Sequence, residues 1–497
     1  MATVMAIDAG TTGVRAMAVR DDGSVASRGY SEFPQSFPSP GWVEHDPDDW
    51  WDALLAATDE TLEAASVRAS DLAAIGITNQ RETTVVWDRS TLQPVHPAIV
   101  WQDRRTSPLC ERLRDEGWTD RVRERTGLVI DPYFSGTKVA WILDEIPGAR
   151  EAAEAGRLAF GTVDAYLIAR MTSGREHVTD RTNASRTMLF DIHRMDWDDE
   201  LLERLRIPRS MLPEVRASAG SFGEVDPAAY LGAAVPITGV AGDQQASLFG
   251  QACLEAGSTK NTYGTGSFAL MHTGGEAVRS SNGLLTTVAA SDDREPAYAL
   301  EGAVFVTGAV IQWLRDGLRL IGSAAEAGPL AASVPDTGDV FFVPALTGLG
   351  APWWDPYARG TIVGLSRGTT KAQVVRAAVE AIAYQCADVL DVMRVDAGLG
   401  LPSLKVDGGA SAMDVLLQFQ ADLLGVPVRR SGVKETTALG AAFLAGLGAG
   451  VWPSTADLAG IWRPDREFEP QDVARAATGH ARWRDAVQRS LGWAGTP

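Results

Sequence analysis

Val4-Met5-Ala6-Ile7-Asp8-Ala9-Gly10-Thr11-Thr12-Gly13-Val14-Arg15-Ala16-Met17-Ala18-Val19 sets two short apolar runs on either side of an acid, glycines, threonines and an arginine. The first run, Val4 to Ile7, and the second, Arg15 to Val19 before the turn Asp22-Gly23, read as strands of a β-hairpin. Its connection has the parts that phosphate handling needs. Glycines let backbone N–H groups approach oxygens, Thr11 and Thr12 add donors, Arg15 adds fixed positive charge, and Asp8 can hold Mg²⁺ through water. An ordinary hairpin turn with a capping aspartate accounts for the same eight residues, so the loop alone decides nothing about function.

Outward from this hairpin, the apolar runs Ala74 to Ile77, Ala98 to Trp101 and Val235 to Val240 alternate with helical stretches such as Pro47 to Ala65. In that helix Asp46 is placed to cap and Pro47 to occupy the first turn. The alternation predicts an α/β architecture. Later the pattern restarts with a strand over Thr259 to Tyr263, the turn Gly264-Thr265-Gly266, and Leu404-Lys405-Val406-Asp407-Gly408-Gly409, an apolar run ended by an acid and glycines as at Asp8-Ala9-Gly10. The halves therefore look distantly alike, with a chance match as the alternative. A chain of 497 residues exceeds one ordinary core. The expected domains are 1–252, with the phosphate loop and a substrate pocket, and 253–497, with the rest of the nucleotide site.

Composition narrows the partners. A formal charge of −19, from 45 Lys and Arg against 64 Asp and Glu, disfavours nucleic acid and anionic membrane. Asp8 interrupts the first apolar run, so no secretory leader is read, and no stretch is long and apolar enough to span a bilayer. Cys110, Cys253 and Cys386 are odd in number and far apart, which argues against disulfides and zinc and fits a reducing cytoplasm.

Neither GxxxxGK[ST] nor GxGxxG occurs, which removes the commonest phosphate-binding readings. Thr238 to Ala246 runs an apolar strand into Gly242-Asp243-Gln244-Gln245, placing Asp243 at or near a helix start. It is there either a helix cap or a general base beside an attacking hydroxyl. Thr78-Asn79-Gln80-Arg81-Glu82-Thr83-Thr84 follows another apolar run. Arg81 and Glu82 are either a solvated salt-linked turn or a donor and acceptor for neighbouring hydroxyls, with Trp101 and Tyr133 as candidate walls.

These segments resemble the FGGY family of carbohydrate kinases. The likeness runs over nearly the whole chain, through Gly41-Trp42-Val43-Glu44-His45-Asp46-Pro47, Ile77 to Thr83, Asp131 to Lys138, Gly242 to Gln245 and Asn261 to Gly266, with Tyr133 to Glu145 and Gly360 to Glu380 fitting the two family signatures. Its nearest members are those that phosphorylate glycerol. The resemblance implies a two-domain actin-like ATPase fold with ribonuclease H-like cores and an interdomain cleft. It also implies ATP and Mg²⁺ as cofactors, a small polyol as partner, and a homo-oligomer, dimer or tetramer. Carried over position by position, the polyol pocket is Arg81, Glu82, Trp101, Tyr133, Asp243, Gln244 and Phe268, with Asp243 the base and Asp8 and Asp243 near the metal. The nucleotide contacts are Thr11, Thr12, Gly13 and Arg15 in the first half, and Thr265, Gly308, Gln312, Gly409 and Met413 in the second.

The sequence departs from the family where Ala9 replaces a glutamine, Gly13-Val14 replace two serines, and Met413 replaces an asparagine beside the adenine. Each change bears on nucleotide affinity. Some members hold fructose 1,6-bisphosphate on a loop arginine, but here Asp226 to Ala234 contains no Lys, Arg or His. The competing readings are a kinase for another polyol or a ketose, and an ATP-driven conformational binder that transfers no phosphate to a small molecule.

Overall fold

The computed structural model describes residues 2–292 and 295–495. Two mixed sheets carry the chain. In the first, Thr3–Ala9, Gly13–Arg20 and Val25–Glu32 form an antiparallel meander, Leu72–Asn79 pairs parallel to the first strand, and Ile237–Gly242 pairs parallel to Leu72–Asn79. The second repeats this plan. Thr259–Tyr263, Ser267–Gly274 and Ala297–Val304 are antiparallel, Leu404–Asp407 and Val428–Ser431 add in parallel, and Leu285–Ala289 and Pro464–Phe468 close the edges.

The central strands are buried on both faces, which is why they read as unbroken apolar runs rather than alternating ones: Val4, Met5, Ala6 and Ile7 are all fully covered. The hairpin lies where the sequence places it, as do the strand Thr259–Tyr263 and the helix Pro47–Ala65, whose Asp46 side chain accepts from the Asp48 N–H. Two runs differ. Ala98 to Trp101 pairs only over Ala98–Ile99, because Trp101 turns away to bond elsewhere, and the last strand of the first sheet runs Ile237–Gly242.

The halves are alike in topology, yet the acid-and-glycine match joins unlike places. Asp8 lies near the end of the first strand of its sheet in chain order, whereas Asp407 ends the fifth of its own, the counterpart of Leu72–Asn79. Asp407 instead accepts from Ser247, Gln251 and Thr436, tying strand ends to two helices. Those helices, Asp243–Gly250 and Thr436–Gly448, cross at the joint between the halves, where a Cβ on Gly440 would stand 1.8 Å from the Ala246 carbonyl oxygen. Thr436–Gly448 also lies on the first sheet, where Gly76 and Gly239 leave room for its backbone at Ala441 and Ala445.

Candidate active site

The chain leaves Leu72–Asn79 through a turn in which Glu82 adopts a left-handed φ of 62°, a conformation that side-chain-bearing residues keep only where the surroundings enforce it. The whole stretch from Thr78 to Thr84 is buried, so the solvated-turn reading of Arg81 and Glu82 fails. Buried charges need partners, since leaving one unpaired costs several kcal/mol. Arg81 finds Glu301 through Nη1 at 2.6 Å and Nη2 at 3.1 Å, Gln245 through Nη1 at 3.1 Å, and Asp243 through Nε at 3.1 Å. Glu82 accepts from Arg186 Nε at 2.6 Å, and Arg186 Nη2 donates to Glu301 at 3.0 Å. Burial alone would raise Glu301, but Arg186 and Arg81 outweigh it and bring its carboxyl down to about 2.

Asp243 is the first residue of Asp243–Gly250, and Gly242 takes the capping position before it. Gly242 is glycine for a local reason: its Cβ would lie 2.7 Å from Arg81 Cγ, so a side chain here would push the arginine out of place. Burial lifts the Asp243 carboxyl above its ordinary value, against the pull of Arg81 and Lys260. Asp8 is lifted to about 6, chiefly by burial and partly by Asp243, against Arg15, whose Nη1 stands 3.4 Å from its Oδ2. Two carboxylates raised by burial, one of them also by the other, suit a Mg²⁺ ion held through water and completed by phosphate oxygens. Among the described residues no three metal-binding side chains converge, so a site with more protein ligands is not built here.

Lys260 is fully buried and donates to Gln244 Oε1 at 2.6 Å and Thr262 Oγ1 at 2.9 Å. Sheet register puts Phe268 on the same face: Lys260 pairs with Leu270 and Leu270 with Glu301, and two residues on, Thr262 pairs with Phe268 and Phe268 with Ala303. On the opposite side Trp101 donates Nε1 to Thr11 Oγ1 at 3.0 Å and packs edge-on to Tyr133 at 5.6 Å, which links the pocket to the first loop. Arg81, Glu82, Asp243 and Gln244 thus share one network with Trp101, Tyr133 and Phe268 on its flanks.

A cleft of about 870 Å³ opens in the second half and is lined by Thr265, Gly308, Gln312, Gly409 and Met413. Its floor is backbone: the Gly308 N–H donates to the Gly264 carbonyl at 2.9 Å, and a Cβ at Gly308 would come within 2.5 Å of that oxygen. In the hairpin loop, the Gly10 N–H donates to the Gly13 carbonyl at 3.0 Å, and Thr12 Oγ1 lies 3.4 Å from the Tyr30 hydroxyl. The space at Gly13 is already taken, because an added Cβ would sit 2.6 Å from both the Tyr30 hydroxyl and the Ser31 carbonyl.

Profiles of the N-terminal and C-terminal domains of the FGGY family of carbohydrate kinases match residues 3–250 and 259–449. The chain belongs to this family. It is 54% identical to glycerol kinase 2 of Thermotoga maritima over 494 residues, and 58% identical to the glycerol kinase of Symbiobacterium thermophilum over 492 residues, covering 99% of each chain in both cases. Among solved structures it matches Plasmodium falciparum glycerol kinase with ADP at a TM-score of 0.93 and 33% identity, over 99% of this chain and 98% of that one. The xylulose kinase of Lactobacillus acidophilus, at 21% identity and a TM-score of 0.88, shares the fold.

Within this FGGY kinase several site residues escape a motif-based reading. Glu301, Arg186, Lys260 and Gln245 all touch the Arg81 to Gln244 cluster. The usable signal for Glu301 is a lone acid within the apolar strand Ala297–Val304, a residue type almost never buried without a partner. Of the kinase's five lysines, Lys138, Lys260 and Lys405 turn their amines inward, to the Tyr133 carbonyl, Gln244 and the Gln251 carbonyl, while Lys371 and Lys434 stand exposed. Burial brings Lys138 and Lys260 down to about 8.

Proposed function

We propose that this chain phosphorylates glycerol with ATP to give sn-glycerol 3-phosphate and ADP. The observation that carries the reading is whole-length identity of 54% and 58% to relatives named glycerol kinase. The site chemistry agrees with it. A small polyol has no charge and little apolar surface, so it is held by donors and acceptors set close together, here Arg81, Glu82, Asp243 and Gln244, between the rings of Trp101, Tyr133 and Phe268.

Asp243 accepts the proton of a primary hydroxyl as that oxygen bonds to the terminal phosphorus, and the bond to the bridging oxygen breaks to release ADP. Burial raises its carboxyl, and Arg81 approaches it through Nε alone, so the arginine pulls its basicity down less than a two-point pair would. Thr11, Thr12 and Arg15 would meet the phosphates, and Thr265, Gly308, Gln312, Gly409 and Met413 the rest of the nucleotide. Asp8 and Asp243 would hold Mg²⁺, whose contribution is to neutralise phosphate charge. The same reading has the protein working in the cytoplasm as a homo-oligomer, which light scattering of the purified chain checks. ADP release measured with glycerol, dihydroxyacetone, erythritol, xylulose and ribulose tests the activity. Turnover highest on a ketose would move the assignment to another branch of the family.

A further inference from the structure

Arg81 stands among three carboxylates and is shared between them unequally. Glu301 bridges both Nη nitrogens end-on, at 2.6 and 3.1 Å, whereas Asp243 meets only Nε, at 3.1 Å, and Glu82 lies 4.0 Å from that nitrogen. Gln245 accepts from Nη1 and is itself fixed by donating Nε2 to Thr287 Oγ1 at 2.9 Å. The hydrogen bonds to Glu301 and Gln245 engage both Nη1 hydrogens and one of the two on Nη2, so among the described residues the second Nη2 hydrogen is uncommitted.

Glu301 reaches in from the second sheet, while Arg81 and Arg186 belong to the first half. The edge that carries it is docked rather than free: Tyr298 donates its hydroxyl to the Ile192 carbonyl at 2.8 Å, and the Thr286 N–H bonds the Gly127 carbonyl at 3.0 Å. Arg186 Nη2 then pins Glu301 Oε1 from the far side at 3.0 Å. A carboxylate so held is a rigid prop, not a loose counter-ion.

We propose that Glu301 is a positioning residue for the polyol pocket. By holding both Nη nitrogens of Arg81, it prevents that arginine from turning onto Asp243 as a two-point ion pair and keeps the uncommitted Nη2 hydrogen available to a substrate hydroxyl. Two-point Arg–carboxylate pairs are stronger than single contacts, so without Glu301 the nearest remaining acceptor for one is Asp243, the group that must receive the hydroxyl proton. The inference rests on the proposed function, because it assigns Arg81 to the polyol.

The test is steady-state kinetics with glycerol, together with calorimetric titration of ATP, on the full chain and on Glu301→Asp and Glu301→Gln. Glu301→Asp keeps the buried charge balance but is one methylene too short to span both Nη nitrogens. It is expected to melt within a few degrees of the unaltered chain and to show a glycerol KM raised about 10-fold, with ATP affinity changed less than about 2-fold. Glu301→Gln, which lacks the charge as well, is expected to raise KM by about 10- to 100-fold and also to lower kcat. If Glu301→Asp keeps the KM and kcat of the unaltered chain, Glu301 supplies only charge and the proposal is overturned. Should Glu301→Gln fail to fold, the aspartate variant alone decides. Absence of glycerol turnover in the unaltered chain strikes the proposed function instead, and the comparison is then made on whichever polyol that chain does phosphorylate. If it phosphorylates none, both readings fall.

Discussion

Replacing Gly440 by alanine tests the crossing of Asp243–Gly250 with Thr436–Gly448. The new Cβ would lie 1.8 Å from the Ala246 carbonyl oxygen, 2.6 Å from its carbon and 3.0 Å from the Gly250 nitrogen, all backbone atoms of the facing helix. No rotamer relieves such a contact, so the helices must part by more than about 1 Å in an interior packed like a crystal. Alanine regains about 1 kcal/mol of helix propensity. Overpacking of this kind costs roughly 1–3 kcal/mol, leaving a net loss of up to about 2 kcal/mol and a Tm lower by a few degrees. The larger effect is on rate, because Asp243 heads the displaced helix and a 1 Å misplacement costs on the order of 10²-fold. Gly460→Ala is the control: that glycine has no neighbour within 4 Å of its would-be Cβ and is not at positive φ, so alanine there leaves kcat unchanged. Thermal melts and kcat are measured for both. A Gly440→Ala protein that matches the control in Tm and rate would refute the argument.

Asp243→Asn keeps shape but cannot accept the hydroxyl proton, so turnover falls by about 10²- to 10⁴-fold while ATP still binds by calorimetry. Gly13→Ser, which restores the usual family residue, weakens ATP binding, because Tyr30 and Ser31 fill the space its Cβ needs; tighter binding would count against the observed packing. Asp8→Asn stabilises the protein above about pH 6 and not below pH 4. A carboxyl raised from 3.8 to about 6 loses folding stability as pH rises between those values, about 2–3 kcal/mol at most, and the amide has nothing to lose. Melts at pH 4 and pH 8 read the difference, and an equal shift at both would contradict it. Fructose 1,6-bisphosphate at millimolar concentration leaves the rate unchanged, since Asp226 faces Arg175 at 3.8 Å and Tyr230 is anchored on Thr58, with no cation from the loop itself; inhibition in a steady-state titration would show a site elsewhere.

The fold was legible wherever a strand is buried on both faces and bounded by turn residues, as at Thr3–Ala9 and Thr259–Tyr263. The likeness of the halves was legible too, but not its register, because Asp407 ends a different strand of the repeated plan from Asp8. Short motifs report local chemistry and not strand order. The parts of the site that lie together in sequence, such as Arg81 with Glu82, could be read directly. Glu301 and Arg186 could not, because their contacts span 220 and 115 positions along the chain. Nor does a sequence show that Tyr30 lies where a side chain on residue 13 would go. That contact depends on the pairing of Gly13–Arg20 with Val25–Glu32.

The inward-turned lysines make the protein an unusual subject for amine chemistry. Among the lysines only Lys371 and Lys434 are exposed, with Lys405 half-buried, so an acylating dye has few side-chain amines to meet. Lys260 is the amine of further interest, because burial lowers it to about 8 and at the same time covers it from reagents. Its slow acylation, followed by peptide mass, would therefore act as a clock for the moments when Gln244 and the second sheet draw apart.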